Sequence, residues 1–385
     1  MGSDTLSDAR EIAAMVMPRG DEIEAARRVP TDIISDMRSR GMFLQCIPKA
    51  LGGREAEPLE TLHMIEEIAR ADGSTAWVAM VASTTALLSG YLDDHWAREI
   101  YGTDPNVITA GATAPTGRAI RVDGGIEVTG QWQWGSGCDH ADWLVGGSLL
   151  VDESGDLILD ESGAPHHLLP LLAADQIEIL DTWYVHGMAG SGSTDFTTNR
   201  AFVPDGRWLR FGHNHPRLPG LYQFPLLGFL GLGVCSISLG VARRAIDELV
   251  LLAADKVPTA SKNTLAQRGY VQSAVAEAEA AVRSSRALLR EAVEGAYETA
   301  TSGGPLTIEH RALLRLATTN ASRQSAKAVD LMYNAAGGTP VYNRSPLSRI
   351  FRDMHVATQH LMVGPPTYEL VGRYYLGLDI DTSGL

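Results

Sequence analysis

Ala119-Ile120-Arg121-Val122-Asp123-Gly124-Gly125-Ile126-Glu127-Val128-Thr129-Gly130-Gln131-Trp132-Gln133-Trp134 is the most telling stretch of the chain. Two β-rich runs, Ala119 to Val122 and Ile126 to Trp134, flank an Asp-Gly-Gly turn, which predicts a β-hairpin. Further short β-rich runs follow at Trp143 to Leu150, His167 to Leu172, Ile177 to Leu180 and Thr194 to Val203. That spacing suggests a compact sheet domain or a barrel. On the N-terminal side the texture is helical: Ser7 to Met17, Thr31 to Arg40, Glu60 to Ala71, Thr75 to Leu92 and Asp94 to Tyr101, with Ser7 as candidate N-cap of the first. On the C-terminal side helical period returns. Val271, Val275, Ala278, Val282, Leu289 and Val293 form one apolar stripe within a helix expected over Leu265 to Glu298, and another is expected over Ile308 to Ala335. Helices, then strands, then helices make an α+β chain in three parts: 1–105, 106–212 and 213–385.

The bulk composition excludes several classes of function. The chain has 385 residues, enough for several domains, and 45% hydrophobic content argues for globular cores rather than disorder. A formal charge of −14 speaks against nucleic-acid binding, which needs clustered Lys and Arg. The most apolar run, Phe224 to Ala242, is interrupted by Gly228, Gly231, Gly233 and Gly240 and reads as a buried helix, so no membrane span is expected. Asp4, Asp8, Glu11 and Glu22 make the N-terminus unlike a signal peptide, and Cys46, Cys138 and Cys235 suggest neither a disulfide framework nor a metal site. A cytoplasmic protein is expected. Gly190-Ser191-Gly192 has Asp195 where a dinucleotide fingerprint needs Gly, no P-loop occurs, and Ser136 is not in GxSxG.

Four segments carry the remaining information. They are Gly41-Met42-Phe43 through Leu51-Gly52-Gly53 with Glu66-Glu67, then Gly130 to Cys138 with His140-Ala141-Asp142-Trp143. The third is Asp181-Thr182-Trp183 to Gly187-Met188-Ala189-Gly190-Ser191-Gly192-Ser193 with Val203-Pro204. The fourth is Ala336-Gly337-Gly338, Pro346-Leu347 and Arg349 to Asp353, ending at His360. In this order and at these distances they resemble the acyl-CoA dehydrogenase superfamily over essentially the whole chain. The resemblance implies an N-terminal helical domain, a middle β domain and a C-terminal four-helix bundle.

In the dehydrogenases of that superfamily a Glu follows the Arg-Asp pair by about two helical turns and abstracts a proton. Here Leu361 falls at that place, with His360 before it and no carboxylate until Glu369. This pattern resembles the two-component, flavin-dependent monooxygenase branch, whose members take reduced flavin (FAD or FMN) from a separate NAD(P)H-dependent reductase and react it with O2 to form a C4a-hydroperoxide.

By this resemblance His360 would contact the hydroperoxide and Ser136 would hydrogen-bond flavin N5. Ala112, Thr113 and the strand from Trp132 through Trp134 to Ser136 would flank the ring. Asn334, Gly337 and Gly338 would meet flavin bound to a neighbouring subunit of a homotetramer. A basic residue for the flavin phosphates is sought among Lys256, Lys262 and Arg268, with Lys262 taken as the candidate. Asp353 and His360, seven apart on a continuous helix, would share a face, and Asp353 would either orient the site or pair with Arg349. Phenol-hydroxylating relatives carry a His in the helix corresponding to Thr75 to Leu92, whereas this chain has Thr84 and Thr85 there as candidate substrate contacts. That departure favours an aromatic or indolic substrate, with N-oxygenation of an amino sugar, an acyl-CoA dehydrogenase or oxidase with a displaced base, and a silent homologue as alternatives.

Overall fold

Capping chemistry sets where the first helices begin. In the computed structural model, which describes residues 4–104, 106–259 and 261–385, α1 (Thr5–Val16) is capped by Asp4, whose carboxylate accepts the Leu6 amide at 3.1 Å. Ser7 lies inside the helix, so the expected cap moves three residues earlier, to the side chain that stands ahead of the free amides. There follow α2 (Gly20–Ala26), which the sequence did not announce, α3 (Thr31–Ser39), α4 (Pro58–Ala71), α5 (Gly73–Ala86) and the short α6 (Asp94–Ala97). Asp72 caps α5 by accepting the Thr75 amide at 2.7 Å. The α-helix stops short of Leu92 because the backbone tightens into a 3₁₀ turn over Leu87–Gly90. The domain boundary expected at residue 105 falls on a position outside the described residues.

One open sheet follows, built from β1 (Thr109–Val122), β2 (Gly125–Trp132), β3 (Trp143–Val151), β4 (His167–Ala173), β5 (Glu178–Leu180), β6 (Asp195–Pro204) and β7 (Trp208–Arg210). Its order is β5-β6-β2-β1-β3-β4-β7, so β5 and β7 are edges and the barrel alternative is corrected. The expected hairpin is present: Val122 pairs with Gly125, and Gly124 takes the left-handed φ of +72° that the turn requires. β1 starts ten residues earlier than Ala119 because its first part pairs parallel with β3, a contact invisible to local periodicity. Between Ala112 and Gly117 β1 advances five residues while β3 advances two, from Gly146 to Ser148, so β1 bulges away from the sheet there. The fully buried Trp132 fills the sheet interior, stacked on Phe196 with ring centroids 5.1 Å apart. Its indole N–H donates to the Gly147 carbonyl at 2.7 Å.

The C-terminal part packs α7 (Leu226–Asp255), α8 (Gly269–Thr301), α9 (Ile308–Ala335) and α10 (Pro346–Ala357) as a four-helix bundle, with α11 (Pro366–Tyr375) against α9. α9 has the bounds its pattern predicted. The Val271, Ala278, Val282, Leu289 and Val293 stripe of α8 is at most 2% exposed, while Val275 is only partly covered. By length and composition α7 is apolar enough to cross a bilayer, which corrects the sequence-based exclusion; 78% of its most apolar window is buried inside the molecule, as in a core helix. From Gly231 to Ala242 every residue of α7 is buried. Its glycines admit the neighbours: a Cβ at Gly240 would lie 2.3 Å from the Glu66 carbonyl of α4, and one at Gly233 would lie 2.7 Å from Met80 of α5.

Candidate active site

β2 ends at Trp132, and the next residues change both direction and exposure. Trp134 takes a left-handed φ of +60° and leaves its ring 66% exposed. Trp132 is enclosed by Gly117, Gly130 and Gly146, where added Cβ atoms would come within 3 Å of its ring, so of the two tryptophans only Trp134 presents a free face. Two residues on, the Ser136 hydroxyl is buried. It accepts the indole N–H of Trp77 on α5 at 3.0 Å and lies 2.6 Å from the Ser193 hydroxyl. Ser193 lies 2.7 Å from the Ser191 hydroxyl, which donates to the Met188 carbonyl at 2.7 Å.

The loop from Gly187 to Ser193 is held by helices on two sides. Asp353 of α10 accepts the Met188 amide at 2.6 Å, and Arg352 donates to the His186 carbonyl at 2.6 Å while pairing with Glu24 of α2. A Cβ at Gly187 would sit 2.4 Å from the Arg352 carbonyl, so the loop backbone and α10 are in contact there. Arg349 pairs with Asp21, which corrects the expected pairing of Asp353 with Arg349. Burial, then the nearby Asp72 carboxylate, push Asp353 up to about 7 against the opposing Met188 amide and Arg349.

α10 ends at Ala357, so Asp353 and His360 do not share one continuous helix as the spacing implied. His360 instead caps a separate 3₁₀ turn, Leu361–Val363, its Nδ1 accepting the Met362 amide at 3.3 Å. With Nδ1 an acceptor, the ring proton of the neutral form is assigned to Nε2. Burial, then the Arg315 guanidinium, pull His360 down to about 4, so the imidazole is neutral at physiological pH. Arg315 itself is buried on α9 and donates to the Met362 carbonyl at 2.6 Å, anchoring the same turn. The His360 ring meets Trp77 edge-on, with centroids 5.7 Å apart. Trp77 thus joins Ser136 and His360, which are 224 residues apart in the chain (360 − 136).

The other candidate positions divide. Ala112 and Thr113 sit at the start of the β1 bulge, where the Thr113 carbonyl meets His167 Nε2 at 2.8 Å. The Thr84 hydroxyl turns back to the Met80 carbonyl at 3.0 Å, and that of Thr85 bonds the Val81 and Thr109 carbonyls at 2.8 and 2.9 Å. Both candidate substrate contacts therefore have their hydroxyls engaged by backbone. Gly337 and Gly338 line a cavity of about 670 Å³ between the ends of α7 and α9. Lys256 lines it too, with Nζ donating to Ala336 O and Thr339 Oγ1, both at 2.6 Å. Lys262 is exposed in the α7–α8 connection and outside this wall, where the basic residues are Lys256 and Arg344 instead. Asn334 is exposed on the last turn of α9, its amide donating to Asp330 O at 2.8 Å, and it too lies outside the cavity wall. Among the described residues no group of three or more His, Cys, Asp or Glu side chains is placed to hold a metal.

Sequence reasoning passed over Trp77, Ser193 and Ser191. A signal for Trp77 existed: an indole within an otherwise small, apolar helical run buries an N–H that needs a partner. For the serines it was the repeated hydroxyl in Gly190-Ser191-Gly192-Ser193.

Comparison with known proteins bears on all of this. Residues 5–94 match the acyl-CoA dehydrogenase N-terminal domain and residues 232–365 the acyl-CoA dehydrogenase C-terminal domain. The chain is similar to an indole-3-acetate monooxygenase of Pseudomonas putida, 33% identical over 92% of this chain and 89% of that protein. It is also similar to the oxygenase component of an FADH2-dependent resorcinol hydroxylase from Rhizobium sp. (strain MTP-10005), 28% identical over 96% of this chain and 93% of that protein. Among solved structures, a 3-HSA hydroxylase from Rhodococcus sp. RHA1 superposes with a TM-score of 0.91 at 25% identity, covering 100% of this chain and 99% of that one.

Proposed function

This chain belongs to the acyl-CoA dehydrogenase family and is a flavin-dependent monooxygenase within it, and we propose that it oxygenates an aromatic or indolic ring. Its cofactor is reduced flavin, delivered by a separate NAD(P)H-dependent reductase. The observation that carries this reading is the Ser136–Trp77–His360 constellation, in which a neutral imidazole stands one residue before Leu361, the apolar side chain that falls where the resemblance puts a dehydrogenase's carboxylate. Asp353, the acid nearest in sequence before His360, is buried and turned to the Met188 amide, so it is no base for a thioester. The relatives' names, indole-3-acetate monooxygenase and resorcinol hydroxylase, support an aromatic substrate.

The residues present fit a flat tricyclic ring. Trp134 offers an exposed indole face for stacking, and the β1 bulge at Ala112 and Thr113 supplies backbone beside the sheet. The Ser136 hydroxyl keeps one lone pair after its two protein contacts. Bound reduced flavin supplies the electrons that activate O2. His360 Nε2–H donates a hydrogen bond to an oxygen atom held near Trp77, and its low affinity for a second proton keeps it a neutral donor. Ser136 orients the ring edge it faces.

We also propose that the chain acts as a homotetramer in which the 670 Å³ cavity receives part of the flavin bound to a neighbouring copy. Tyr270 (60% exposed) and Tyr342 (57%) line it, Leu251 (69%) and Val341 (70%) adjoin the lining residues Leu252 and Tyr342 in sequence, and so much uncovered apolar surface favours burial against another chain.

The test supplies photoreduced FMN or FAD, 18O2 and a panel containing indole-3-acetate, indole and resorcinol, and reads label incorporation by mass spectrometry. Product carrying one 18O atom is expected. No labelled product, together with anaerobic bleaching of bound flavin by an acyl-CoA thioester, would establish a dehydrogenase instead.

A further inference from the structure

The buried hydroxyls behind Ser136 make a chain whose direction is fixed at both ends. The Trp77 indole N–H can only donate, and the Met188 carbonyl can only accept. Between them lie four contacts: Trp77–Ser136 at 3.0 Å, Ser136–Ser193 at 2.6 Å, Ser193–Ser191 at 2.7 Å and Ser191–Met188 O at 2.7 Å. Four protons are available, one on the indole and one on each serine. The Ser191 proton is at the Met188 carbonyl, so the Ser193–Ser191 contact must take the Ser193 proton. The Ser136–Ser193 contact must then take the Ser136 proton. Any other assignment leaves two oxygens within 2.7 Å facing each other with lone pairs only, in a buried site where such a mismatch is expensive. Ser136, at 6% exposure the least covered of the three (Ser193 4%, Ser191 2%), is therefore left with a lone pair and no proton for whatever it meets.

Reduced flavin carries a hydrogen on N5, whereas oxidised flavin presents a lone pair there. We propose that Ser193 and Ser191, acting through Ser136, set the redox-state preference of flavin binding: they hold Ser136 as an acceptor, matched to N5–H and mismatched to oxidised N5. The inference rests on the reading that Ser136 faces N5. It makes Ser193 and Ser191 positioning residues that never touch the ring. In Ser193→Ala, Ser136 loses its acceptor and its proton turns to the ring. In Ser191→Ala, Ser193 is released to donate to Ser136, with the same result.

The experiment measures dissociation constants of oxidised FMN aerobically and of reduced FMN anaerobically, for the unsubstituted chain and both variants, with thermal melts as the check of folding. The ratio of oxidised to reduced constants is expected to fall about tenfold or more in each folded variant, equivalent to a drop of about 30 mV in the potential of bound flavin. A substitution-free arm uses oxidised 5-deaza-FMN, which carries C–H in place of the N5 lone pair and is expected to bind the unsubstituted chain more tightly than oxidised FMN. Ratios within about twofold of the unsubstituted chain in the folded variants, or 5-deaza-FMN binding no better than oxidised FMN, overturn the proposal. Should neither variant fold, the deazaflavin comparison decides alone. Failure of the unsubstituted chain to bind reduced flavin would instead sink the functional reading, while tight reduced binding with flat ratios would sink only this inference.

Discussion

A histidine that must donate a hydrogen bond across neutral pH has to keep one proton in a fixed place and refuse a second. His360 meets both conditions through its neighbours: the Met362 amide occupies Nδ1, and burial with the Arg315 guanidinium resists the cation. Its folded value of about 4 lies below the ordinary 6.5, so the unfolded chain binds more protons between those limits. The stability gained by keeping the ring neutral is complete above about pH 6.5 and is lost as pH falls toward 4. In a histidine-selective NMR titration, the signal assigned by its loss in His360→Gln is expected to show no protonation from pH 8 down to about 5. A midpoint near the ordinary histidine value would remove the argument for a neutral donor.

At the level of the element, the loop from Gly187 to Ser193 and the helix α10 behave as one piece, joined by Asp353. Because Asp353 is raised from 3.8 to about 7, the folded state holds the extra proton across that interval, and stability declines as pH rises through it. The slope opposes that of His360. Asp353→Asn keeps an oxygen for the Met188 amide and removes the titration. Relative to the parent, urea unfolding should show the variant gaining on the order of 2 kcal/mol between pH 5 and pH 8, whereas a pH-independent difference would mean that Asp353 is charged throughout. Much at this scale was legible in advance. The Ile308–Ala335 helix, the Asp123-Gly124 turn and the α8 stripe all follow from local period or turn chemistry. What escaped depends on contacts distant in sequence. The first half of β1 is a strand only because β3 lies beside it, and Trp77 matters only because Ser136 and His360 come to it. The end of α10 was missed for a different reason: Thr358-Gln359 carry no Gly or Pro, and the first such residue is Gly364.

Across the whole molecule, the turn that follows β2 carries Trp134 and Ser136, the N-terminal helices carry Trp77, and the segment after α10 carries His360, so the site needs all three parts assembled. The cavity beside Lys256 is separate from it, and a substitution there tells binding apart from folding. Gly338 has an ordinary φ of −73° and open space where a Cβ would stand. Gly338→Leu is therefore expected to melt within about 2 °C of the parent. Reduced-flavin affinity should nevertheless fall roughly tenfold, read by anaerobic titration. Unchanged affinity would separate that cavity from the cofactor.

The glycines of α7 have one more implication. Neighbouring helices bear on it where it has no side chain: at Gly240 the α4 main chain comes directly against it, and at Gly228, Gly231 and Gly233 side chains of α9 and α5 occupy the space a Cβ would take. A chain diverging under selection for new substrates has little room to vary there. Along α7 its freedom lies near the far end, at Val250 and Leu251, which look outward.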